Sequence, residues 1–365
     1  TIPNKDLKPS KTNSFEIGVD LKFLNNRIGL DFTYYKQNSN NQIMNVATSV
    51  TSGYSTKLIN AGEIENSGVE IALNTTPVQT KDFSWDFNFN FSKNSNKVKS
   101  LSTGIESLEL AAARWLGVKV LAVPGEEYGV IMGQDFLRNE QGDVIINADS
   151  GLPEITSDMK KLGKATWDWT GGLTTTFRYK QFTLSAIFDI KVGADIYSMT
   201  ARGLAKSGKA AYTVRGRDEW HKSEEQRLEA GVAEGNWQST GGYVAEGVVK
   251  QVDAAGNVSW VKNTKAIAPY DYWGYICDKT ASPFIYDNSY VKMRELTFGY
   301  TFPKKMIERY VESLSVSFVA RNPFIIYKNV PNIDPDSNYN TSAIGLEYGS
   351  LPSRRSFGLN VNIKF

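Results

Sequence analysis

Phe83-Ser84-Trp85-Asp86-Phe87-Asn88-Phe89-Asn90-Phe91 places an aromatic side chain at every odd position and a polar one at every even position. Successive side chains of a strand leave on opposite faces, so this stretch reads as a β-strand with one apolar and one hydrophilic face. The same period recurs outward in both directions. Upstream it runs through Phe15, Ile17, Val19, Leu21 and Phe23, then Ile28, Leu30, Phe32 and Tyr34, and more weakly from Val69 to Leu73. Downstream it runs from Leu173 to Tyr179, through Phe182, Leu184, Ala186, Phe188 and Ile190, then from Leu296 to Phe302 and from Leu314 to Ala320. At the end, Phe357, Leu359, Val361, Ile363 and Phe365 alternate with Gly358, Asn360, Asn362 and Lys364.

The alternation and the turn residues between its copies predict about eleven strands. They lie near 14–24, 27–38, 64–77, 82–97, 117–124, 127–138, 168–179, 181–197, 289–302, 312–327 and 353–365. Several are ~9–12 residues long, which matches the ~9–11 that a tilted membrane strand needs rather than the ~5–6 of ordinary globular strands. Connections alternate in length. Asn25-Asn26, Pro77 to Lys81, Lys180-Gln181 and Pro303 to Glu312 are short, whereas 38–63, 98–116, 139–166, 198–288 and 328–352 are long. Short turns at one end and long loops at the other are the arrangement of an antiparallel transmembrane β-barrel. With the short turns periplasmic, both the first and the last strand run toward the periplasm. An odd count that begins this way implies that further wall strands precede the chain. The segment 198–288, with helical composition around Arg217 to Ala233, reads as a long extracellular loop insertion, because the barrel pattern resumes at Ser289.

Alternation alone is shared by a β-sandwich. Strand length and loop asymmetry favour the barrel, and so does the position of the aromatics. Tyr34, Tyr35, Trp85, Trp167, Trp169, Tyr179, Tyr300 and Tyr327 fall at or near strand ends, where an interfacial girdle places rings with an apolar body and a polar tip. The mean hydropathy of −0.35 fits a wall that is half polar. No run of ~20 apolar residues reads as a spanning helix. Net charge is +2, from 41 basic and 39 acidic residues, with no basic stripe for nucleic acid. The single Cys277 rules out an internal disulfide, and the single His221 argues against a His-based zinc site or a Ser/His triad. With no nucleophile–base pair, an enzyme is the poorest fit and no cofactor is expected.

Several strings resemble the SusC/RagA group of TonB-dependent receptors. They are Leu7-Lys8-Pro9 with Ser14-Phe15-Glu16-Ile17-Gly18, Arg27 to Tyr35, Asn60-Ala61-Gly62-Glu63-Ile64 with Ser67-Gly68-Val69-Glu70, and Phe83-Ser84-Trp85-Asp86. Further on come Asp168-Trp169-Thr170-Gly171-Gly172, Tyr290-Val291-Lys292-Met293-Arg294-Glu295-Leu296, Ala320-Arg321-Asn322-Pro323, Asp334-Pro335-Asp336, Gly349-Ser350-Leu351-Pro352 and Phe357 to Phe365. Together they cover the chain apart from 198–288. Such receptors have 22-stranded barrels with a plugged lumen, so the resemblance implies the C-terminal part of a barrel in the Gram-negative outer membrane. Signal sequence, plug, TonB-contacting segment and the first half of the wall would lie outside the chain.

The resemblance further implies active import of a large nutrient, an oligosaccharide or in some members a peptide. A SusD-like surface lipoprotein would cap the barrel, and TonB–ExbB–ExbD would supply energy. In outer-membrane barrels generally, a final strand ending in an aromatic is read by the barrel-assembly machinery, which here would be Phe357, Leu359, Val361, Ile363 and Phe365. The candidate substrate contacts are loop aromatics: Trp220, Trp237, Tyr243, Trp260, Tyr270, Tyr272, Trp273 and Tyr275. Sugar C–H faces stack on such rings, although loop packing would use them equally. Asp31, Asp86 and Asp189 read as lumen-facing solvated groups. Asp334, Asp336 and Asn338 would offer oxygen ligands to a hard cation, but Asp-Pro spacing is a turn signal first, and no metal is assigned. Two other classes remain open. A plug and a TonB-binding segment in the full gene would exclude an adhesin or passive porin. Release from membranes by salt alone would point to a soluble carbohydrate-binding β protein.

Overall fold

A computed structural model describes residues 1–365 apart from 3, 48, 49, 61, 103, 114–116 and 338–343. Nine strands form one continuous antiparallel sheet in which every strand pairs with its neighbour in wall order. They are β1 (Lys11–Phe23), β2 (Ile28–Asn40), β3 (Glu63–Gln79), β4 (Phe83–Ser100), β5 (Trp169–Tyr179), β6 (Phe182–Val192), β7 (Tyr290–Thr301), β8 (Ser313–Lys328) and β9 (Ser356–Lys364). β1 and β9 each bond to a single neighbour, so the sheet is an open wall segment.

The register carries the alternation from strand to strand. Paired residues share a face, and Ile17↔Tyr34↔Val69, Leu73↔Phe89↔Leu173↔Phe188 and Phe298↔Phe318↔Leu359 are links of one apolar surface. That surface is uncovered: Phe15 is 60% exposed, Phe298 50% and Leu359 76%. The aromatics of Phe83–Phe91 are half-buried by their neighbours in a single layer and are not sealed in a two-layer core. A soluble sandwich is thereby excluded, since it would bury this face. The opposite face carries Glu16, Asp31, Glu70, Asn88, Asn90, Thr174, Ser185 and Ser317, in register with one another.

The short turns follow from local chemistry. Asn25 and Asn26 adopt left-handed φ values of 55° and 66°, a region that asparagine tolerates better than most residues. Lys180 does the same at φ 51° between β5 and β6.

Two predicted strands do not belong to the wall. The segments near 117–124 and 127–138 contain Lys119–Ala122 and Val130–Gly133, which pair with Leu108–Ala112 and Lys160–Lys164 in a separate four-stranded sheet. Val118, Val120, Leu121, Ala122, Val130 and Ile131 are buried without alternation. A continuous apolar run signals a strand enclosed on both faces, not a lipid-facing one. Among the described residues the wall therefore has nine strands rather than about eleven.

The apolar core lies in the long connections. Val118, Val120, Ile131, Ile146, Tyr197, Ala201, Tyr243, Tyr272, Ile276, Phe284 and Leu346 form one cluster. The segment 198–288 is thus one part of a body shared with 118–165 and 344–348, rather than a free excursion. It contains α1 (Met199–Lys206), α2 (Arg217–Glu229) and α3 (Pro269–Lys279). Buried Glu347 ties this body together. Its carboxylate accepts from the Ser198 hydroxyl at 2.9 Å, the Thr200 amide at 3.1 Å and the Thr200 hydroxyl at 2.8 Å, at the start of α1. The Ser350 amide donates to it as well, at 3.0 Å.

Candidate ligand-binding loops and inner wall

Two regions bring functional side chains together: an ionic cluster on the polar face of β6 and β7, and the aromatic loop body. β7 is irregular at the first. Phe188 pairs with Met293 and Ile187 with Glu295, which leaves Arg294 as the extra residue of a bulge. Lys292, 1% exposed, reaches Asp334 at 3.2 Å and Asp336 at 2.6 Å. Arg294 pairs with both Asp336 and Asp189. The Tyr290 hydroxyl lies 2.9 Å from Asp336 and 3.1 Å from Asp189. Ser353 donates to Asp334 through its amide at 2.9 Å and also through its hydroxyl. Burial pushes the Asp336 carboxyl up, but the hydrogen bonds from Arg294 and Lys292 outweigh it and hold that carboxyl well below the usual range. Asp334 is likewise held low, with Ser353 and Lys292 overcoming its burial.

The cluster revises one expectation. Asp189 is not a solvated lumen carboxylate but a partner of Arg294. Asp334 and Asp336 have their charge met by protein cations and amides, which leaves them poorly suited to a metal; Asn338 lies outside the described residues. Asp86 is paired as well, with Arg178, while Asp31 sits exposed on the polar face.

The loop aromatics divide into packing and pocket residues. The Tyr243 and Tyr272 rings lie tilted against each other with centroids 4.1 Å apart, are 8% and 9% exposed, and pack in the core. Burial raises both phenols. Trp237 donates to Ser223 at 3.0 Å, and Trp260 lies on the hairpin Val248–Val252/Val258–Lys262 opposite Lys250. Tyr275 is half-buried against the core. The other three, Trp220, Tyr270 and Trp273, line one pocket of about 470 Å³ between α1, α2 and α3, together with Lys206, Arg217 and His221, although Trp273 also packs on the core against Tyr243 and Tyr272. Tyr270 is 81% exposed there. Composition had flagged the rings; only the packing separates those that face open space. Cys277 in α3 is buried, and burial pushes its thiol up to about 11, which makes it a poor nucleophile.

On the wall, Trp85, Tyr179 and Tyr300 share the apolar face near the short turns, where Trp85 stacks on Phe177 at 5.7 Å. Trp169 and Tyr327 lie on that face near the long loops, and Tyr34 lies nearer mid-strand. Tyr35 and Trp167 do not join them. Tyr35 pairs with Glu16 and Gly68 on the polar face and donates to Asn94 at 3.0 Å. Adjacent strand residues cannot face one way, so Tyr34 and Tyr35 could never both meet lipid. Trp167 packs edge-on against Tyr290 at 5.9 Å, beside Lys191, on the polar side. Phe357, Leu359, Val361 and Ile363 all stand exposed on β9, and Phe365 follows it at 90% exposure.

Comparison with known proteins agrees with this wall. The family model described as TonB dependent receptor-like, beta-barrel matches residues 1–186. TonB-dependent receptor P3 of Formosa agariphila is 27% identical over 99% of this chain and 35% of its own length. TonB-dependent receptor SusC of Bacteroides thetaiotaomicron is 25% identical over 99% of this chain and 32% of its own. The RagAB peptide importer in its closed-closed state superposes with a TM-score of 0.69 at 17% identity, over 99% of this chain and 36% of that one. The chain thus spans about a third of the length of the curated relatives it matches. Matched family, uncovered apolar face and register lead to one conclusion: the chain belongs to the TonB-dependent receptors, as a SusC/RagA-like segment of a β-barrel in the Gram-negative outer membrane.

Proposed function

We propose that the receptor containing this chain actively imports a large nutrient, an oligosaccharide, across the outer membrane. The supporting observation is the pocket between α1, α2 and α3, lined by Trp220, Tyr270 and Trp273 at the long-loop end of the wall, with Tyr270 standing open. Pyranose C–H faces stack on such rings, and long loops of these barrels face the exterior. In this reading the short turns face the periplasm, and Trp85, Tyr179 and Tyr300 form the periplasmic interface band. A SusD-like lipoprotein covers the loop body. TonB–ExbB–ExbD acts through parts of the receptor outside this chain, and the barrel-assembly machinery engages β9 and Phe365. The chain supplies wall and ligand contacts and performs no covalent chemistry.

Growth tests this. A strain deleted for the receptor gene and complemented with wild type or with Trp220→Ala/Tyr270→Ala is supplied with single oligosaccharides or peptides as sole carbon source. Loss of growth on an oligosaccharide, restored by wild type and poorly by the variant, is expected. Loss on peptides alone would replace the oligosaccharide with a peptide, and unchanged growth after disruption of TonB would reject energy coupling.

A further inference from the structure

The pocket between α1, α2 and α3 has a charge that its aromatic content does not explain. Three of its lining residues are basic, Lys206, Arg217 and His221, and none is acidic. Lys206 is already neutralised by Asp278, at 2.6 Å. Arg217 is different. Its guanidinium donates to the Thr213 carbonyl at 3.1 Å, the Gly208 carbonyl at 2.7 Å and the Thr213 hydroxyl at 2.9 Å. These are neutral acceptors, and among the described residues no carboxylate pairs with it. A guanidinium cannot lose its proton in a protein, so its charge stays uncompensated at the pocket wall. The three acceptors also fix its position, so little side-chain freedom remains to be lost when an anion binds.

The helices add to this field. Arg217 is the first residue of α2, and Pro269 and Tyr270 are the first two of α3. Neither helix start has a side-chain cap, and helix starts carry partial positive charge. Asp218 and Glu219 in the first turn of α2 are exposed and do not line the pocket. At about 470 Å³, the space falls within the ~300–1,000 Å³ range of small-ligand sites.

We infer that this pocket is a subsite for an acidic sugar ring, its carboxylate toward Arg217 and its C–H face on Tyr270 and the flanking tryptophans. The inference rests on the oligosaccharide reading and narrows it to uronate-bearing chains. Nε and Nη2 are spent on Thr213 and Gly208, which leaves the two N–H groups of Nη1 to meet a carboxylate oxygen, and the adjoining rings suit the pyranose face.

The full receptor carrying this chain, purified in detergent, is titrated with oligogalacturonate, with the same oligomer methyl-esterified and with mixed oligopeptides, following tryptophan fluorescence. The acid should bind at least about tenfold more tightly than the ester, and raising NaCl from about 50 to about 500 mM should erode that preference. Arg217→Gln should bring the two forms within about threefold of each other, whereas Tyr270→Ala should weaken both alike. Heat-modifiable gel migration verifies that each variant retains its barrel; should Arg217→Gln fail to fold, the acid–ester ratio and its salt dependence in wild type still decide. Equal binding of acid and ester to wild type overturns the acidic subsite and leaves oligosaccharide uptake standing. A preference that survives Arg217→Gln overturns the site assignment. Binding of peptides but of neither sugar overturns the oligosaccharide reading itself.

Discussion

Replacing Lys292 by Met should release Asp334, Asp336 and Ser353 from the wall while leaving the barrel intact. Lys292 is 1% exposed, and its ammonium meets Asp334, whose side chain is 5% exposed, and Asp336, at 21%. Removing one partner of a buried ion pair costs about 3–5 kcal/mol, because the other charge is left uncompensated. Here Asp336 keeps Arg294, and Asp334 keeps its two donors from Ser353. The residual penalty therefore falls mainly on Asp334, and about 3 kcal/mol is expected. At ~1.4 kcal/mol per tenfold, the undocked population should rise by roughly two orders of magnitude. Hydrogen exchange on the full receptor reads this directly, since the amides of Asp336 and Ser353 are bonded to Asp334 in the docked state. Both should exchange about 100-fold faster, and Lys292→Met/Asp334→Asn should recover part of the loss, because the stranded charge is gone. Exchange at both amides within about threefold of wild type would refute the account.

The same cluster predicts an acid limit. Carboxyls held low when folded contribute in full above their ordinary pKa of about 4 and lose that contribution only as pH falls through the depressed folded values. The Asp336 and Ser353 amides should therefore stay protected from exchange at about pH 4 and lose protection progressively below that; protection already lost at about pH 5 would contradict this. On the wall, Phe89→Lys puts a charge between Leu73 and Leu173 on the apolar face and should cost about 2–4 kcal/mol. Asn88→Lys, one residue away on the polar face, should be tolerated. The yield of heat-modifiable receptor in outer-membrane fractions compares them, and equal losses would invalidate the assigned faces. Phe365→Ser should lower that yield several-fold with little effect on the melting of receptor that does assemble, since Phe365 is 90% exposed; a matching fall in stability would give it a packing role instead.

The two-residue period was sufficient to place all nine wall strands, because a strand's faces are set by adjacent residues and lipid on one side enforces the pattern at every step. Phe83–Phe91 needed no partner to be recognised. The failures occurred where a side chain's environment is made by distant chain. Lys119–Ala122 and Val130–Gly133 are enclosed partly by neighbouring loop residues such as Leu108 and Ile146 and partly by distant ones such as Tyr197, Tyr272 and Leu346, so their run of apolar residues looked like wall without being it. Arg294-Glu295 breaks the alternation of β7, a local sign of a bulge, but nothing nearby reveals that the bulge aims Arg294 at Asp336, 42 residues on. Loop aromatics were visible as a class, yet Tyr270 and Tyr272 both lie on α3, and only the packing of Tyr272 on Tyr243 sets it apart from the open Tyr270. Period and polarity are written locally; burial and charge pairing are properties of the assembled surface, and only the tertiary structure decides them.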